Sequence, residues 1–163
     1  MARVLIVAYG NPLRCDDGIA WRAADALEGR FSGDEVEILR LHQLVPELAE
    51  IVSRFATVIF IDAAAGGAKT IPGQIQVKEI AAQARADASG FAHVISPQTV
   101  TALAATLYSA KPQTFLLTVT AASFDHGDVL SLSVEAALPD LISKVAWLVE
   151  QSLSRPSATK DTK

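Results

Sequence analysis

The feature that most narrows the fold is a set of short runs with almost no charged or strongly polar residue: residues 4–8 (VLIVA), 57–61 (TVIFI) and 114–119 (TFLLTV). A strand with one wet face alternates polar and apolar residues. A run that is apolar nearly throughout has to be covered on both faces, as in the centre of a parallel sheet. Helical patterns separate these runs. Ala20, Ala23, Ala24 and Leu27 recur on one face after Asp16 and Asp17, either of which can cap a helix start, and Gly29 stands where the helix should stop. Val36, Ile38 and Leu41 mark a second strand, and Pro46 opens a helix striped by Leu48, Ile51 and Val52. Pro72-Gly73 reads as a turn, and residues 74–78 (QIQVK) alternate, as an edge strand with one wet face does. Ser96-Pro97 is a cap followed by proline at the first helical position, ahead of Val100, Leu103, Ala104 and Leu107. A last helix is predicted over about 133–153, and residues 81–92 carry no assignment.

Strands alternating with helices predict an α/β fold: a mostly parallel sheet of about five strands between two helical layers. The chain of 163 residues is read as one domain over 1–155, followed by a polar tail over 156–163. Half of its residues are hydrophobic, which fits a compact core. The formal net charge is -4 and the basic residues are scattered, which argues against a nucleic-acid partner. Cys15 is the single cysteine, so no internal disulfide is available and a reducing compartment fits. The first apolar run ends too soon, at Gly10-Asn11-Pro12, for a signal peptide, and no stretch reaches the roughly 18 apolar residues of a membrane span. The expected location is the cytoplasm, with no membrane contact.

Ligands of open α/β sheets bind beyond the carboxyl ends of the strands. Asp16 and Asp17 follow the first strand, Asp62 ends a central one, and His93 precedes the Ser96-Pro97 helix start. Carboxylates with an imidazole can hold a divalent transition metal and leave positions open for water or substrate. Each residue also has a plain structural use: a helix cap for Asp16 or Asp17, loop amides for Asp62, packing for His93. Cys15 reads as a structural thiol rather than a nucleophile, and His42 and His126 as loop residues. A dinucleotide fingerprint, a phosphate-binding P-loop and a nucleophile elbow are all absent from the sequence.

These residues resemble a known family. Residues 10–18 (GNPLRCDDG) are similar to the motif of the hydrogenase maturation proteases, in which a first strand runs into Gly-Asn, a short loop and an acidic pair. Residues 42–49 (HQLVPELA) look like a segment of one branch of that family, and residues 61–64 (IDAA) resemble its Asp-Ala strand end. Pro72-Gly73 and residues 127–131 (GDVLS) fall where that branch has similar turns. The resemblance implies a three-layer α/β/α sandwich of the phosphorylase/hydrolase-like kind. It also implies an endopeptidase that removes a C-terminal peptide from the nickel-loaded precursor of a nickel-iron hydrogenase large subunit. That precursor is the expected partner, nickel is expected to be recognised on it, and the enzyme is expected to act as a monomer.

Carried over by motif, the residues contacting nickel become Asp17, Asp62 and His93, with Asp16 or Asp62 as general base. Asp17 stands where many members have Glu. Many members also place the histidine directly after a Ser-Pro-like dipeptide, where this chain has Gln98; His93 fits the branch with the 42–49 segment. Two rival readings use the same residues. One is a non-catalytic chaperone that binds metal or precursor. The other is a peptidyl-tRNA hydrolase, which also opens with a strand and Gly-Asn-Pro. Its next loop carries Arg-His-Asn, however, where this chain has Arg14-Cys15-Asp16-Asp17, and the acidic balance does not suit RNA.

Overall fold

A computed structural model describes residues 2–81 and 95–156. Its elements in order are β1 (Val4–Tyr9), a 3-10 turn (Cys15–Gly18), α1 (Ile19–Leu27), β2 (Val36–Leu41), α2 (Leu48–Val52), β3 (Thr57–Ala64), β4 (Ile75–Ile80), α3 (Pro97–Tyr108), β5 (Gln113–Thr120) and α4 (Leu132–Ser154). The five strands form one sheet in the order β2-β1-β3-β5-β4. All neighbours run parallel except β4, which pairs with β5 antiparallel at the edge. The fold is the expected three-layer α/β/α sandwich.

The uninterrupted apolar runs are apolar because both sheet faces are covered. Side chains alternate along a strand, so β1 sends Val4, Ile6 and Ala8 to one layer and Leu5 and Val7 to the other. The first layer is closed by Ala20, Ala23, Ala24 and Leu27 of α1 with Leu141, Val145 and Val149 of α4. The second is closed by Leu48 and Val52 of α2 with Val100 and Ala104 of α3. The edge strand β4 is wetter than its alternating sequence predicts: Gln76 to Glu79 are all exposed, Val77 included.

Helix ends follow the sequence where local chemistry decides them. Ser96 caps α3 by accepting from the Thr99 amide at 3.1 Å, with Pro97 in the first helical position. Gly29 takes a positive φ of 77° just past α1. The start of α1 differs from the expected aspartate cap. Its N-cap is Gly18, with no side-chain bond, because both preceding aspartates are engaged elsewhere. Among the described residues, no helix is long and apolar enough to cross a membrane.

Candidate active site

The chain leaves β1 through α1 to reach β2 on one side, then returns through α2 to β3 on the other side of β1. The two helices lie on opposite faces, so the crevice beyond the carboxyl ends of β1 and β3 stays open. That switch point is where ligands bind in such sheets. Ala8 pairs with Ile61, so Tyr9 and Asp62 follow side by side at the mouth. By the two-residue period, Asp62 continues the row of Val58 and Phe60, and Tyr9 continues that of Leu5 and Val7. Both therefore face the α2/α3 layer, with the Tyr9 ring edge-on to Phe60 at 6.4 Å.

Asp17 reaches the same place from the 3-10 turn. Its Oδ2 accepts from the Asn11 amide at 2.7 Å, which folds residues 10–17 into a tight loop. Gly10 makes this loop possible. Its φ is 143°, and a Cβ there would lie 2.2 Å from the Asp17 carbonyl oxygen. Only glycine allows that approach.

The charge balance at the crevice is unsettled. Burial pushes the Asp62 carboxyl up to about 7, and the neighbouring Asp17 charge pushes the same way, against opposing help from the Tyr9 hydroxyl and the Ala63 amide. Tyr9 is driven up in turn by burial and by Asp62. A carboxyl near neutrality beside a second carboxylate can exchange a proton at working pH or give it up to an arriving cation.

Asp16 is placed quite differently. It is fully buried, and its carboxylate accepts from the Ala122 amide (2.8 Å), the Ser123 amide (3.0 Å), the Ser131 amide (2.8 Å) and the Ser131 hydroxyl (2.9 Å). Burial alone would raise its pKa, but the bonds from Ser131, Ala122 and Ser123 outweigh it and hold the carboxyl below the usual range. Asp16 thus clasps the loop after β1 to the β5–α4 loop. The geometry separates it from Asp62, the other candidate base, because its oxygens are taken and it does not line the crevice.

The crevice is a cavity of about 400 Å³, lined by Tyr9, Gly10, Asp17 and Asp62 on one side, residues 42–46 on another, and Ile95. The structure therefore brings Asp17 and Asp62 together. His93 lies outside the described residues, and Gln98, in the first turn of α3, does not line the cavity. Among the described residues, no three His, Cys, Asp or Glu side chains are grouped to hold an ion. His126 is exposed in the β5–α4 loop, and Cys15 is half-buried against Gly127 with a positive φ of 49°. Tyr9 and His42 are lining residues that the sequence reading passed over. Both stand at the carboxyl end of a parallel strand, the position that singled out Asp62.

Comparison with solved structures finds the same fold in known proteins. The hydrogenase maturating endopeptidase HybD from E. coli superposes with a TM-score of 0.72 at 26% identity, covering 92% of this chain and 93% of that one. The chain is similar to the hydrogenase maturation proteases over nearly its whole length. Two further maturation proteases share the fold. The [NiFe] hydrogenase maturation protease HybD from Thermococcus kodakarensis matches with a TM-score of 0.65 at 23% identity, over 90% of this chain and 99% of that one. The maturation protease HycI from the same organism matches with a TM-score of 0.69 at 17% identity, over 91% and 93%. No family model and no curated protein matches the sequence. The kinship with these maturation proteases therefore rests on three-dimensional similarity across nearly the whole chain.

Proposed function

We propose that this protein is a hydrogenase maturation protease, the endopeptidase that trims the C-terminus of a nickel-iron hydrogenase large-subunit precursor. The observation that carries the reading is the pairing of Asp17 and Asp62 in one crevice at the switch point of a maturation-protease fold. Two carboxylates fit a divalent transition metal by charge and by donor type, but they are a partial ligand set. An ion already held by the precursor needs no more. Nickel is thus part of the substrate in this reading. Asp17 and Asp62 contact it in the docked precursor, with His93 as the third contact, and so place the scissile bond. Of the two candidate bases, Asp62 is the one that faces the crevice and the attacking water; Asp16, sealed by its four donors, is left as a positioning residue.

The end of the molecule at which the crevice opens suits a protein substrate, and Val45 there both lines the crevice and is exposed. Leu13, Val45, Ile71, Val129 and Leu132 are exposed apolar side chains, and all stand on loops or a helix start at the carboxyl end of the parallel strands. Val77, Leu107, Tyr108 and Trp147 are exposed elsewhere, but the set at this end is the one beside the crevice and fits a contact surface there. The enzyme acts in the cytoplasm in this reading, as a monomer that docks transiently.

The test is intact-mass analysis of the precursor after incubation with the purified protein. Nickel-loaded precursor should lose one C-terminal peptide, and nickel-free precursor should stay whole. Equal cutting of both would remove nickel from the recognition. Binding without any shortening would favour the chaperone reading.

A further inference from the structure

We propose that His42 is a further catalytic residue of this crevice, donating a hydrogen bond from its imidazole N–H to the carbonyl oxygen of the peptide bond that is cut. The inference rests on the peptidase reading and deepens it. A bound peptide offers carbonyl oxygens that need donors, and the carboxylates of Asp17 and Asp62 only accept when ionised. The Tyr9 hydroxyl is turned to Asp62. Among the described lining residues, the remaining side chains with N–H groups are His42 and Gln43.

Of these two, His42 is held in place. Although exposed, its ring stands against Trp21 at a centroid distance of 5.2 Å and an interplanar angle of 72°. The backbone just before it is fixed twice, because the Leu41 carbonyl accepts from Trp21 Nε1 at 3.0 Å and from the Gly10 amide at 3.0 Å. The first bond comes from α1 and the second from the loop that carries Asp17. The backbone leading into His42 is therefore tied to the element that positions the carboxylates, and Trp21 supports its ring. It does not form a three-residue ion site with Asp17 and Asp62, and it lines the same crevice. An imidazole carries at least one N–H in either protonation state, so the donor is always present. Fixed donors aimed at a developing oxyanion are among the largest contributions to acyl-transfer catalysis.

In the step itself, water oxygen bonds to the carbonyl carbon and the C=O π pair moves onto oxygen, where the His42 N–H meets it. The proton of the attacking water passes to a carboxylate. As the C–N bond breaks, that proton goes to the leaving amine nitrogen, and the carbonyl is restored as a carboxylic acid.

The experiment compares single-turnover cleavage of nickel-loaded precursor by wild type, His42→Phe and His42→Gln, alongside precursor binding and thermal melting. Phe keeps the aromatic contact with Trp21 but has no donor; Gln keeps a donor. The expected result is cleavage slowed about 100–1,000-fold in His42→Phe, with binding within about threefold of wild type, and roughly tenfold recovery in His42→Gln. Cleavage by His42→Phe at the wild-type rate would overturn the inference while leaving the peptidase reading intact. So would a loss explained wholly by weaker binding, or a Gln variant no better than Phe. A wild type that does not cleave at all would overturn both.

Discussion

Asp16 and Asp62 are both withdrawn from water, one in the loop after β1 and one at the end of β3, yet their surroundings drive them in opposite directions. Asp16 has a donor for nearly every lone pair it can offer, from Ala122, Ser123 and Ser131, and its charge is favoured. Asp62 is partly buried with less support and with Asp17 nearby, and its charge is disfavoured up to about pH 7. A buried carboxylate with a complete set of donors stabilises the fold; one left incomplete is a strain that an arriving ligand can relieve. The comparison teaches that the incomplete residue is the one to read as functional. The neighbours Asp16 and Asp17 sharpen it further. They are the same amino acid one position apart, and the 3-10 turn sends one into the clasp and the other into the crevice.

The largest effect that would break the contrast is on activity. Asp62→Ala and Asp17→Ala should each slow cleavage of nickel-loaded precursor by about 1,000-fold or more, Asp62→Ala while melting no lower than wild type and Asp17→Ala with a loss of only about 1 kcal/mol from the orphaned Asn11 amide. A drop in melting temperature matching the activity loss would make these residues structural instead. Asp16→Ala should do the converse. It leaves the amides of Ala122, Ser123 and Ser131 without their acceptor, for a loss of about 3 kcal/mol in urea unfolding. Stability unchanged within about 0.5 kcal/mol would dissolve the clasp.

The pH dependence of stability separates the two by sign. The folded pKa of Asp62 is raised, so the fold holds a proton that the unfolded chain releases. Stability from this group is full below about pH 4 and lost as pH rises to about 7. Asp62→Asn should flatten that limb and gain about 1–2 kcal/mol at pH 8, seen as a melting temperature a few degrees higher. The folded pKa of Asp16 is lowered, so its contribution is present above about pH 4 and lost as pH falls through the folded value. The smallest effect is a control outside the comparison. Arg40 bonds Asp25 at 2.9 Å and Glu28 at 2.7 Å on the surface, and Arg40→Ala should change stability by less than about 1 kcal/mol in the same urea experiment.

Much of this architecture is written locally. The runs in β1, β3 and β5 announce strands covered on both faces, and Ser96-Pro97 announces the start of α3, because neighbouring residues alone set those features. The carboxyl-end rule led to Asp16, Asp17, Asp62 and His93 for the same reason, and the motif resemblance then favoured Asp17 as a metal contact. What stayed hidden depends on distant partners. Nothing near Asp16 in sequence says that it will meet Ser131, 115 positions away, so it could not be told from Asp17. Nor does the sequence show that Arg3 will cap α4 through the Leu153 carbonyl, 150 positions on. His42 reads as a loop residue until Trp21, on another element, is brought against it.

The most direct test of the contrast is a carbon-detected NMR titration of the side-chain carboxyls of Asp16 and Asp62 in one sample of the full chain. Asp62 should titrate near pH 7 and move toward the ordinary range in an Asp17→Asn variant, while Asp16 stays ionised below that range. Ordinary carboxylate values of about 4 for both residues would contradict the division of the acidic residues into a clasp and a reactive crevice.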